Sequence, residues 1–322
     1  MNTRCRMLSE ETQLANHTIK HPLGPGFWPE LSADQYHSDP CPEPSLSSSP
    51  AKIIVSETPR KAWLAHPRLN PDFVPEISDK FDFGTAVHDA LSSGGKRIAV
   101  VEGFLDWKKK EAQDRRDELR ARGLTPLLEH QFADVETLVE RTRADLERRN
   151  VTLGAQEAVF IAQDRGVWLR SMMDAFDPPW ISDFKTTSTN LASDAAVANM
   201  IVDYGYDLQS AFYLHVAGLV FPEWAGRLKF RLLFVEKQEP FGLRIIEADA
   251  TMLEMGRRKM EHAIGLWQQC TASGRWPHLE HLPRTVPYPS FQESRWLERE
   301  TSDGFVMGPV EVLKRLDRGE KL

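Results

Sequence analysis

The segment Met172-Met173-Asp174-Ala175-Phe176-Asp177-Pro178-Pro179-Trp180-Ile181-Ser182-Asp183-Phe184-Lys185-Thr186-Thr187 constrains this chain more than any other. Two apolar runs flank a Pro-Pro pair, the pattern of a strand, a tightened turn and a second strand. Side chains two apart on a strand share a face, so Asp183 and Lys185 project together. Asp174 falls at the close of the first strand, near the same end. Converging carboxylates suit Mg²⁺ or Mn²⁺, because hard cations prefer oxygen ligands. An ammonium beside such an ion stabilises developing negative charge or helps to activate a water, and its own pKa is expected to be lowered there. These are the parts that cutting a phosphodiester requires.

At 322 residues, with 41% apolar and 27% charged side chains, the chain can bury a sizeable core and fits a soluble globular protein. No run approaches the ~18 to 20 apolar residues of a membrane helix. The first residues, Met-Asn-Thr-Arg-Cys-Arg-Met, carry no apolar signal core, so a cytoplasmic location with no membrane partner is expected. Cys5, Cys41 and Cys270 are too few and too scattered for a disulfide framework, a zinc ribbon or a four-cysteine iron–sulfur site. A net charge of −7 is not the basic footprint of a protein that coats DNA. Averages hide patches, however, and a metal-dependent nuclease needs an acidic pocket inside a local basic rim.

Residues 1–50 are rich in Pro, Ser, His and Asp without periodicity, and read as a flexible N-terminal arm or a wrapping segment. Residues 51–299 are expected to form the main domain and 300–322 a C-terminal tail, with a short helical pattern around Val310 to Leu316. Helical spacing marks Ala51–Val55, a segment beginning near Ser56–Arg60, and Phe83–Leu91. Residues 98–101 suggest a strand, and the charged run Leu105–Arg122 and Asp134–Arg149 suggest helices. Strands are expected at Glu157–Gln163, Val167–Asp174 and Trp180–Thr186, then a helix at Gly205–Val220. Two more strands at Leu228–Val235 and Leu243–Glu247 and a long helix over 251–270 complete an α/β order with a mixed central sheet flanked by helices.

Three further features surround the strand pair. His88 sits in Gly84-Thr85-Ala86-Val87-His88 on an upstream helix. Gln209 and Tyr213 form Gln-x-x-x-Tyr downstream, a spacing that puts both on one helix face. Glu157 stands near the start of the first central strand. In this order the pieces resemble the PD-(D/E)XK nuclease superfamily with its restriction-endonuclease-like core, and more closely the RecE-like phage exonucleases (exodeoxyribonuclease VIII). The resemblance runs from about Tyr36 to about Trp296. It includes the serine cluster before Pro59-Arg60-Lys61-Ala62-Trp63 and the segment Gly205-Tyr206-Asp207-Leu208-Gln209-Ser210-Ala211-Phe212-Tyr213.

The resemblance implies that Asp174 and Asp183 bind Mg²⁺ or Mn²⁺, with His88 as a further ligand or an orienter of the metal water. It implies that Lys185 is the catalytic lysine. Gln209 and Tyr213 would orient DNA or that lysine, and Glu157 matches an acidic position of less defined role. One departure stands out: the family places an arginine two residues before its first aspartate, whereas Arg170 lies four before Asp174. The function so implied is 5′-to-3′ digestion at double-stranded DNA ends, leaving single-stranded DNA for recombination. A single-strand annealing protein as partner and a homo-oligomer are further expectations. The alternatives are an endonuclease or single-strand nuclease on the same core, or a non-catalytic DNA-binding or assembly protein.

Overall fold

In the computed structural model the described residues are 22–75, 79–92, 94–280, 285–302 and 318. They fall into two compact units, Met1–His278 and Leu279–Leu322. The first unit begins with β1 (Gly26–Trp28), α1 (Ala33–His37), α2 (Ser48–Ser56), α3 (Pro59–Leu64) and α4 (Asp79–Ser92). Next come β2 (Ile98–Val101), α5 (Lys110–Ala121), β3 (Thr125–Leu128) and α6 (Glu129–Arg148). The central strands β4 (Ala155–Asp164), β5 (Val167–Asp177) and β6 (Trp180–Thr187) follow, then α7 (Asp194–Asp203) and α8 (Tyr206–Val220). Strands β7 (Lys229–Glu236) and β8 (Leu243–Glu247) and helix α9 (Ala250–Ser273) close this unit; the second holds α10 (Ser290–Ser302).

A six-stranded sheet runs in the order β1-β4-β5-β6-β7-β8, and β2 and β3 pair separately. All neighbours in the large sheet are antiparallel except β6 and β7, which are parallel and register Asp183 opposite Leu232. A parallel pair needs a crossover, and α7 and α8 supply it. The chain is therefore a mixed α/β protein, as the sequence order implied. Phe160, Leu169, Ile181, Phe230 and Phe234 cover one sheet face and meet Ile54, Phe212 and Trp267 from α2, α8 and α9. On the other face Phe184, Leu233 and Val235 meet Val87 and Leu138 from α4 and α6. The two helical layers thus bracket the strand carrying Asp183 and Lys185.

A third cluster makes residues 22–50 the wrapping segment and not the flexible arm. Leu23, Leu31, Tyr36 and Cys41 are buried against Val159 and Ile161 of β4, and β1 adds an antiparallel edge to that strand. The backbone of Leu46 bonds both Trp168 and Arg170 of β5, with N···O distances of 2.8 and 3.0 Å. Composition left both readings open because the order of this segment comes from distant partners and not from its own periodicity. Residues 1–21 of the expected arm lie outside the described residues, as do 303–317 and 319–322 of the expected tail, including Val310–Leu316. The division into compact units falls after His278.

Elements β1, α1, β3, α7 and α10 were not expected. β5 runs on to Asp177, so Asp174 lies inside the strand and not at its close. α5 starts at Lys110 and not at Leu105, because the Asp106 carboxylate accepts the Lys108 amide at 2.9 Å in a side-chain turn that competes with helix. Cys41 and Cys270 are free and buried. Among the described residues no helix is long and apolar enough to cross a membrane.

Candidate active site

β5 and β6 are registered at Ala175 opposite Ser182, and no ladder pairing continues beyond that point toward Asp174 and Asp183. On the other side of β5, the ladder to β4 skips Glu157, which adopts a left-handed φ of 49°. The sheet therefore loosens on both flanks of Asp174. The freed Phe184 amide donates to Asp174 Oδ2 at 2.7 Å, so a side chain replaces the missing strand partner.

His88, on α4, places Nε2 2.7 Å from Asp174 Oδ1. The Asp174 charge pushes the imidazole pKa up to about 9, against the effect of burial. Burial pushes the Asp174 carboxyl up, but His88, Lys185 and the Phe184 amide outweigh it and hold it below the ordinary range. Asp183 is more enclosed, at 1% exposure. Burial and the neighbouring Asp174 raise its carboxyl, although Lys185 opposes them. Lys185 forms an ion pair with Asp183 Oδ2. Burial alone would lower the lysine, yet Asp183 and Asp174 together raise it. Two carboxylates close to one ammonium favour the charged form more than desolvation opposes it.

Gln209, on α8, donates from Nε2 to Asp183 Oδ1 at 2.7 Å. Tyr213, one turn further on, is buried with its ring edge-on to Phe230. Both line a cleft of about 350 Å³ together with His88, Asp174, Asp183 and Lys185. Glu157 does not line it. It stands behind His88, with Oε1 3.9 Å from His88 Nδ1, 3.5 Å from Arg97 Nη2 and 3.2 Å from the Ser92 hydroxyl. Six of the seven residues singled out in the sequence thus share one cleft, and Glu157 supports it from outside.

Arg170 is not part of this group. Its Nη1 donates to Ser45 O at 2.7 Å and to Ser45 Oγ at 2.6 Å, and lies 3.3 Å from Asp39 Oδ1. The guanidinium also covers the Tyr36 ring at 5.4 Å. It anchors the N-terminal wrap.

Sequence reasoning overlooked Lys52 and Tyr206. Lys52 Nζ donates to Gln209 Oε1 at 2.8 Å and sits 5.2 Å from the Tyr206 ring centroid, as does Lys185 Nζ. Burial and the nearby Lys185 bring the Lys52 pKa down to about 8. One signal was available: Lys52 is the sole charged residue of α2, Ser-Ser-Pro-Ala-Lys-Ile-Ile-Val-Ser.

Among the described residues no three His, Cys, Asp or Glu side chains are already arranged as a ligand cluster. The donor chemistry nevertheless fits a hard divalent cation. Two carboxylates from adjacent strands open into the cleft, and the buried Asp183 turns its Oδ2 to the Lys185 ammonium there.

A profile described as a PDDEXK-like domain of unknown function (DUF3799) matches residues 56–281, more than two thirds of the chain. No curated protein matches. A crystal structure from Eubacterium rectale named "Putative exonuclease" aligns over 81% of this chain and 96% of its own, with 18% identity and a TM-score of 0.57. A phage related exonuclease from Haemophilus somnus 129PT aligns over 72% of this chain and 96% of its own, with 12% identity and a TM-score of 0.32. The first likeness establishes a shared fold; the second is too distant to add to it.

Proposed function

The chain belongs to the PDDEXK-like family DUF3799, and from that premise we propose that it is a metal-dependent deoxyribonuclease acting at the ends of duplex DNA. The observation that carries this reading is the convergence of Asp174, Asp183 and Lys185 in one cleft, with Gln209 bonded to Asp183. Asp174 and Asp183, with His88, would hold Mg²⁺ or Mn²⁺, which when bound supplies Lewis-acid polarisation of the phosphate and a more acidic water. Lys185 keeps an ammonium beside the reacting phosphate, where it orients a water and offsets negative charge. His88 would release its proton to act as a ligand, since imidazole binds metals only when neutral. Gln209 holds the Asp183 carboxylate in one orientation, and Tyr213 fixes the helix face that carries Gln209.

Attack at ends, 5′-to-3′ polarity, hand-over of the exposed strand to a single-strand annealing protein and homo-oligomer assembly complete the proposal. The RecE-like motif order favours all four, and the exonuclease name of the Eubacterium rectale protein favours attack at ends. The test is incubation of 5′- or 3′-end-labelled linear duplex, and of covalently closed circles, with Mg²⁺ or Mn²⁺. Loss of the linear form with release of the 5′ label first is expected, with circles intact. Cut circles would point to an endonuclease, and absence of cleavage with retained DNA binding would overturn the enzymatic reading. Lys185→Ala should lower turnover by at least about 100-fold while leaving the thermal unfolding profile folded-like.

A further inference from the structure

Behind the carboxylates runs a short relay. Lys52 Nζ donates to Gln209 Oε1, and Gln209 Nε2 donates to Asp183 Oδ1, at 2.8 and 2.7 Å. An amide has one accepting and one donating end, a carboxylate only accepts, and an ammonium only donates. A flipped Gln209 would set oxygen against oxygen at Asp183 and N–H against ammonium at Lys52. Each outer partner therefore enforces the orientation the other needs.

Lys52 is itself held in place. Its stem passes over Gly205, where a Cβ would come within 3.2 Å of Lys52 Cγ. Its head lies over the Tyr206 ring. Gln209 is 5% exposed, so water has little room to substitute for a lost partner.

We propose, on the nuclease reading above, that Lys52 is a positioning residue for the cleft. By locking the Gln209 amide it commits Asp183 Oδ1 to that amide and turns Oδ2 toward Lys185 and a divalent cation. Lys52 acts through Gln209 and not on the phosphate.

Three variants of the full chain test this: Lys52→Met, Lys52→Glu and Lys52→Arg. Mn²⁺ binding to DNA-free protein, followed by electron paramagnetic resonance, should weaken about 10-fold or more in Lys52→Met, the scale of lost outer-shell partners. Lys52→Glu should be weaker still, because a carboxylate attracts the amide N–H₂ and favours the flip. Lys52→Arg should retain wild-type affinity. A metal-free readout is the Gln209 side-chain amide in ¹⁵N-labelled protein. Its Asp183-bonded proton should shift upfield in Lys52→Met and Lys52→Glu and stay in place in Lys52→Arg.

An unchanged amide in Lys52→Met overturns the proposal, as does a changed amide with wild-type Mn²⁺ affinity. Should Lys52→Met fail to fold, the contrast between Glu and Arg decides in the same way. If the wild type binds no Mn²⁺ while the amide responds as described, the nuclease reading fails and the positioning role stands.

Discussion

Asp39 holds a left-handed φ of 63° inside the protein and is 4% exposed. Its carboxylate accepts the Ser45 amide at 2.9 Å and the Ser45 hydroxyl at 2.7 Å, and lies 3.3 Å from Arg170 and 3.4 Å from His66. Burial pushes the carboxyl up, but His66, Arg170 and Ser45 outweigh it and hold it below the ordinary range. Asn tolerates the same backbone region, so Asp39→Asn removes the charge with little change of shape. Leaving Arg170 buried without its carboxylate should cost about 3–5 kcal/mol near neutral pH. A carboxyl depressed in the folded state stabilises above its unfolded pKa of about 4, and that stability is lost as pH falls through the folded value. The gap between wild type and Asp39→Asn in urea unfolding should therefore be wide at pH 7 and narrow below about pH 4. At this scale the sequence was informative where chemistry is local: Asp183 and Lys185 sit two apart on a strand, and that spacing alone puts them together. It was silent on Lys52 and Asp39, whose meaning depends on Gln209 and Arg170, more than a hundred residues away in each case.

Helices α8 and α9 cross at Gly256, where an added Cβ would meet the Asp207 carbonyl oxygen at 1.9 Å. Alanine in a helix interior would ordinarily gain up to about 1 kcal/mol over glycine. Here the obstacle is backbone, which cannot rotate aside, so Gly256→Ala should be destabilising by about 1–3 kcal/mol in chemical denaturation. Because α8 carries Gln209 and Tyr213, the same variant should also weaken Mn²⁺ binding. Elements were legible in proportion to their periodicity. The β5–β6 hairpin, α8 and α9 announce themselves by alternation or by helical stripes. β1 has three residues, Gly26–Trp28, and α1 has five, Ala33–His37. Neither is long enough for a period, and both exist because β4 offers a free edge and an apolar face. Glu157 was found as a residue but not as a break in the ladder, since a positive φ in a non-glycine leaves no mark on sequence.

For the molecule as a whole, the main domain includes the segment that precedes residue 51. Val159 and Ile161 are fully buried under Leu23, Leu31 and Tyr36, and Arg170 finds its counter-charge in the same segment. A chain shortened to begin at Ala51 should unfold at a temperature several degrees lower and aggregate on heating, as measured by circular dichroism with light scattering. Thermal stability equal to that of the full chain would contradict this integration. The wrap also has a consequence for synthesis. The ribosome releases Asp39 and Lys52 long before Arg170 and Gln209 exist, and Trp267, whose ring lies 5.3 Å from that of His66, emerges later still. The wrap has to wait unpaired until α9 is translated, so a nascent fragment that stops short of Gln209 carries no finished cleft.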